Sequence, residues 1–271
     1  MAKAKAKLKV KLKAQRSPRA GLHPHQGMVP LDTATSALSG LGFDRVETVM
    51  GSTYLDNSTV IIIPTRGEIN WRVVQAWQGL VAPMNQKRAV FFAAGHEVGQ
   101  AYNSVLAQVL ADPNLSQWKY VLTLEDDNLP CPDAHIRLLE SIEWGKYDAV
   151  SGIYFTKGDL NMPMAYGDPE EFARTGVLDF RPRDVREALT KGTIMEVNGI
   201  ACGCSLYRME LFRQIAAPWF VTAADWVEGV GTKVFTQDLA FCERAKKAGK
   251  RLAVDLRVKV GHLDVLSGTV F

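Results

Sequence analysis

Four oxygen-bearing side chains stand in a row at Glu125, Asp126, Asp127 and Asn128, directly after the apolar run Tyr120-Val121-Leu122-Thr123-Leu124. Adjacent carboxylates repel one another, so a fold that gathers them at the mouth of a sheet needs a positive partner. A divalent cation fills that role, and oxygen ligands suit Mg2+ or Mn2+. Such a metal acts as a Lewis acid, taking up negative charge that develops on a substrate oxygen. The same residue types also build polar strand-to-helix turns and helix caps. Taken alone, the cluster supports both readings.

The surrounding pattern places these acids. Val60-Ile61-Ile62-Ile63 is a continuous apolar run, expected of a strand buried on both faces of a parallel sheet. It halts at Pro64 and Gly67, and a helix is predicted from Trp71 to Leu80. A second strand covers Ala89 to Ala93, followed by a helix from about Glu97 to Leu110 whose stripe is Val98, Ala101, Tyr102, Val105 and Val109. The third strand is Tyr120–Leu124, and Pro132 and Asp133 open a helix with Ile136, Leu139 and Ile142 inward. Ala149-Val150 belong to a fourth strand. This alternation predicts an α/β fold, a mainly parallel doubly wound sheet with helices on both faces, binding its ligands beyond the carboxyl ends of the strands.

Residues 156–192 are rich in Gly, Pro, Asp and Arg and read as an inserted loop or lid. Order returns from Ile194 through Leu206, then a short helix over Arg208–Ile215 and a loop with Pro218, Trp219, Trp226 and Gly229. A helix from Asp238 to Ala248 stops at Gly249, and Leu252-Ala253-Val254 and Val258-Lys259-Val260 are strand material before His262.

With 271 residues the chain can bury one substantial core. A hydrophobic share of 47% and a charged share of 23% are those of an ordinary globular protein. No run approaches the roughly 20 apolar residues of a membrane span, and the basic N-terminus lacks the apolar core of a secretory signal. A cytoplasmic protein without a transmembrane segment is the expectation. The four cysteines show no Cys-x-x-Cys spacing, which argues for reduced thiols. Residues 1–20 carry Lys3, Lys5, Lys7, Lys9, Lys11, Lys13, Arg16 and Arg19 and no acid; subtracting those eight from the net +3 leaves −5 on the remainder. Such a segment is a solvated arm or a contact for nucleic acid or an anionic membrane. The expected organisation is a basic tail and linker over 1–27, an extension packed on the core over 28–57, and the main domain over 58–271.

Several short motifs follow one another in order. They are Val60 to Gly67, Ala101-Tyr102-Asn103, Leu124-Glu125-Asp126-Asp127-Asn128, Gly203-Cys204-Ser205-Leu206-Tyr207-Arg208, Phe235-Thr236-Gln237-Asp238-Leu239-Ala240-Phe241-Cys242, and a late His262. The succession resembles the GT-A fold glycosyltransferases, particularly family 2 and its phage-borne relatives, over roughly residues 58–263. The resemblance implies transfer of a sugar from a nucleoside diphosphate, most commonly uridine diphosphate, to an acceptor hydroxyl.

On that resemblance Glu125-Asp126-Asp127 is similar to the family's metal-holding Asp-x-Asp motif, with Glu in the first place. Asp127 and Glu125 are then metal residues, Asp127 the more direct ligand because the longer arm of Glu125 shifts its contact towards water or ribose, and Asp126 lies beside the nucleotide sugar. His262 matches the late His that completes the metal shell, and a nitrogen donor favours Mn2+. Pro64, Thr65 and Arg66 match the turn that cradles the nucleotide, and Asn103 sits where relatives touch it. Asp238 matches the base that deprotonates the acceptor, which gives inversion, although it also stands where a helix N-cap belongs; the late His and the altered acid motif also occur in retaining members of the family, so the resemblance leaves both outcomes open. Trp219 and Trp226 offer aromatic faces on the acceptor side, or core packing, and Glu228 is a second candidate base. The acceptor implied is a glycan or, given the basic arm, a modified base in DNA. Two rivals are a nucleotidyltransferase, whose Gly-rich, Lys-bearing loop Pro64-Thr65-Arg66-Gly67 lacks, and a non-catalytic nucleic-acid-binding protein using residues 1–20.

Overall fold

The computed structural model describes residues 56–84, 86–228 and 231–271, without the side chains of 225–227 and 231–234. The predicted tail, linker and extension fall on residues 1–55 and lie outside the described part, apart from 56 and 57. Asp56–Phe271 is one unit.

In chain order the elements are β1 (Thr59–Thr65), α1 (Trp71–Gln78), β2 (Arg88–Ala94), α2 (Val98–Ala111), β3 (Tyr120–Leu124), β4 (Asn128–Pro130), α3 (Ala134–Trp144) and β5 (Ala149–Ile153). There follow β6 (Ala165–Tyr166), α4 (Pro169–Thr175), α5 (Arg186–Lys191), β7 (Ile194–Val197), β8 (Gly199–Ile200), β9 (Cys204–Arg208) and α6 (Met209–Gln214). The last are β10 (Ala223–Val227), β11 (Gly231–Phe235), α7 (Gln237–Lys247) and β12 (Leu252–His262). The main sheet runs β2-β1-β3-β9-β5-β12-β4, with β7 also paired to β12.

β1 shows why a continuous apolar run makes a central strand. Val60 and Ile62 join one core cluster while Ile61 and Ile63 join the other, since successive side chains point to opposite faces. The first cluster is covered by α2, α6 and α7 through Tyr102, Leu106, Phe212 and Phe241; the second is covered by α3 through Leu138, Leu139 and Ile142. Both faces are therefore layered with helices.

Several expectations need correction. β1–β2, β1–β3 and β5–β12 are parallel, but β9 lies antiparallel between β3 and β5. It starts where β3 ends, Glu125 N donating to Gly203 O at 3.1 Å, and so must run the other way. The stretch 194–206, read only as a return of order, holds β7, β8 and the start of β9, each with different partners. Ile136 is 40% exposed, and Leu138 and His135 are buried instead. The two predicted terminal strands are one, β12, with a register shift between Asp255 and Lys259. Residues 156–192 hold β6, α4 and α5. Among the described residues no helix is long and apolar enough to cross a membrane.

Candidate functional site

The acids turn the corner from β3 to β4. Asn128 N donates to Glu125 O at 3.1 Å, and β4 then pairs with the end of β12, Asn128 opposite His262. Leu263 N donates to Asp127 O at 2.7 Å. Residues 135 positions apart thus meet because two strand ends are in register.

His262 Nδ1 lies 2.7 Å from the carbonyl of Phe155, an acceptor only, so Nδ1 carries the proton and Nε2 faces Asp127 Oδ2 at 3.5 Å. A lone pair held towards a carboxylate calls for a shared cation or a second ring proton. A histidine whose other nitrogen donates to a backbone carbonyl is the arrangement that orients metal ligands. Lys157 Nζ meets the same Asp127 oxygen, and Asn128 Nδ2 donates to Asp127 Oδ1 at 2.8 Å. Burial works to raise the Asp127 carboxyl, but His262 and Lys157 outweigh it and hold it down at about 2.

The other two acids face elsewhere. Glu125 Oε1 accepts from the Tyr102 hydroxyl at 3.3 Å. Burial, and then the charges of Asp127 and Asp238, push Glu125 up to about 8, with the Tyr102 bond pulling the other way. Asp126 Oδ2 accepts from Arg66 N at 3.3 Å and so holds the turn after β1. Among the described residues no group of three or more His, Cys, Asp or Glu side chains is placed to hold a metal. Among the described residues Asp127 and His262 are two donors that face each other. That count fits Mg2+ or Mn2+, which take one or two protein ligands and complete the shell with substrate phosphates and water.

A cleft of about 400 Å³ opens at this place, lined by Pro64, Thr65, Arg66, His96, Glu97, Val98, the three acids and Gln237. The turn after β1 keeps its shape through Gly67, at φ +110°, and through Gly67 N donating to Thr65 Oγ1 at 3.1 Å. His96 and Glu97 escape a motif-based reading; their signal is position, just past the carboxyl end of β2. Glu97 caps α2 by accepting from Gln100 N at 3.0 Å, while its other oxygen accepts from the Thr222 hydroxyl at 3.2 Å. Glu97 also borders a neighbouring groove with Gln100, Asn103, Ser104 and Thr222.

Asp238 does not line the cleft; its neighbour Gln237 does. The N-cap of α7 is Thr236, so Asp238 sits in the first turn, with Oδ1 accepting from Leu239 N at 2.8 Å. Burial raises its carboxyl, against Thr236 and the Leu239 amide. Its charge is felt by Glu125, Tyr154 and Tyr166, so it faces the same interior as the acid turn.

Trp219 is a core residue, 6% exposed, with Nε1 donating to Phe212 O and Ile215 O. Its face is not open to an acceptor, which corrects that expectation. Trp226 lies on β10 opposite Thr232, with its side chain outside the described part, and Glu228 is exposed beyond that strand. Asn103 spends its amide on the backbone of Trp219 and Phe220.

No protein-family model and no curated protein matches the chain. Solved structures do, among them the crystal structure of A197 from STIV, with a TM-score of 0.53 and 16% identity over 79% of this chain and 93% of that one. At that identity the likeness is one of fold: a mixed α/β architecture with a largely parallel central sheet.

Proposed function

We propose that the chain is a glycosyltransferase of the GT-A kind, moving a sugar from a nucleoside diphosphate, UDP in the first instance, to an acceptor hydroxyl. The observation that carries this reading is Asp127, 3.5 Å from His262, on the lining of a cleft that also takes in the β1 turn Pro64–Arg66. Such a cleft, beyond the carboxyl ends of parallel strands, is where α/β sheets receive nucleotides.

Asp127 and His262 are the residues that would hold Mn2+ or Mg2+, which supplies Lewis-acid neutralisation of the departing diphosphate. The turn at Thr65 and Arg66 takes the nucleotide side, with His96 and Glu97 bordering it. Asp238 removes the acceptor proton; burial, which raises its carboxyl, moves it towards the basicity that role needs. Attack from the face opposite the diphosphate gives inversion. The groove beyond Glu97 sets Gln100, Ser104 and Thr222 beside the apolar Phe220 and Val221, a mix of hydrogen-bonding groups and apolar surface that a sugar ring can meet. A glycan and a hydroxymethylated DNA base both present a suitable hydroxyl, and the eight positive charges of residues 1–20 suit contact with DNA as well as a solvated arm.

The test is hydrolysis of labelled UDP-sugars without an acceptor, with and without Mn2+, in the wild type and in Asp127→Ala. Metal-dependent release of sugar lost in the variant supports the reading; no release from any donor counts against it. Transfer to hydroxymethylated duplex, compared with a saccharide panel, then selects the acceptor.

A further inference from the structure

Asp127 already has a cation. Lys157 Nζ lies 2.5 Å from Asp127 Oδ2, the same oxygen that His262 Nε2 faces at 3.5 Å. Lys157 is the first residue past a small stem that follows β5. Met164 N donates to Tyr154 O at 2.9 Å, Phe155 bridges Pro163, and Thr156 N donates to Met162 O at 2.8 Å. Beyond the stem, residues 157–161 are exposed, and Gly158 at φ +94° and Asn161 at φ +41° make the turn. The stem and its turn therefore contact both members of the pair, orienting His262 through the Phe155 carbonyl and neutralising Asp127 through Lys157.

A metal bonded to that Asp127 oxygen competes with the ammonium for it, because two cations on one carboxylate oxygen repel each other and weaken each other's hold. Displacing the ammonium relieves that repulsion. Lys157 stands in the exposed turn with its ammonium against Asp127, a residue of the cleft, and on its flexible four-carbon arm the group next in reach is the diphosphate that the metal would bring in. On the reading proposed above, we infer that Lys157 is a donor-binding residue. It caps Asp127 in the resting protein and passes to the diphosphate when a metal takes its place.

The two halves of this role have opposite signs in one variant. Losing the competing cation tightens metal binding; losing the diphosphate contact weakens nucleotide binding. The experiment is calorimetric titration of Mn2+ into the full chain without nucleotide, then of UDP at saturating Mn2+, for the wild type, Lys157→Met, Lys157→Arg and Asp127→Asn. Lys157→Met is expected to bind Mn2+ about tenfold more tightly and UDP about tenfold more weakly, tenfold being the effect of one ordinary charged contact. Lys157→Arg, which keeps the charge, stays near the wild type in both, and Asp127→Asn loses Mn2+. Equal Mn2+ affinity in the wild type and Lys157→Met, or unchanged UDP affinity, overturns the role of Lys157 alone. Absence of Mn2+ binding in both overturns the metal reading, and this role with it.

Discussion

Asn103 and Phe220 are joined twice: Asn103 Nδ2 donates to the Phe220 carbonyl at 2.6 Å, and Asn103 Oδ1 accepts from the Phe220 amide at 3.0 Å. The same Oδ1 also accepts from Trp219 N at 2.8 Å. One side chain thus clamps a loop against α2, beside Gly99, where an added Cβ would lie 2.9 Å from Phe220 O. That loop carries Phe220 into the cluster with Phe241 and Tyr102, at centroid distances of 4.8 and 5.0 Å.

Asn103→Ala is therefore expected to cost about 2–4 kcal/mol of stability, since it strands two backbone donors and an acceptor. Urea unfolding measures it. A variant with wild-type stability but weakened nucleotide binding would instead return Asn103 to the ligand.

His135 supplies a pH dependence. Its Nε2 is 3.2 Å from Thr59 Oγ1, whose proton goes to Asn57 O, so the ring donates from Nε2. Burial, with Arg88 nearby, lowers it to about 4. Between about pH 6.5 and 4 the unfolded chain binds a proton that the native ring refuses. The stability is full above 6.5 and is lost as the pH falls towards 4, by up to ~3 kcal/mol. Urea midpoints at pH 7, 6 and 5 should fall less steeply in His135→Gln; identical slopes would contradict this.

Gly203→Ala should disrupt the acid turn. A Cβ there lies 2.6 Å from both Asn128 Oδ1 and the Tyr154 hydroxyl, and Gly203 N already donates to that hydroxyl at 2.8 Å. Overpacking of this kind costs roughly 1–3 kcal/mol. Thermal unfolding and Mn2+ affinity should both decline, and a silent substitution would show the turn to be looser than described.

Asp238→Asn separates base from buttress. Removing a buried carboxylate should leave the melting temperature unchanged or raised, while kcat falls about 10²–10⁴-fold, the usual worth of a general base. Retained kcat would move that role to another group.

The sequence was most legible where one pattern has one structural meaning. The Val60–Ile63 run and the Tyr120–Leu124 run became central strands because only a sheet covered on both faces hides every side chain. Alternation carries no direction, however, so nothing in Cys204–Arg208 announced an antiparallel strand. β12 read as two pieces because Asp255 and Arg257 interrupt it, yet Asp255 is fully buried, bonded by Arg257 and Ser141. Trp219 suits either a sugar or a core, and only the Phe212 and Ile215 carbonyls decide for the core. Within the site, the Lys157–Asp127 contact spans 30 positions and leaves no trace in local pattern.

The most direct test is calorimetry of UDP-sugars with the intact chain, with and without Mn2+, in the wild type and in Asp127→Ala. The account predicts that at least one donor binds only with Mn2+, or about tenfold more tightly with it, and that Asp127→Ala abolishes the difference. A well-folded wild type that binds neither Mn2+ nor any donor, or binding indifferent to Asp127, would contradict it.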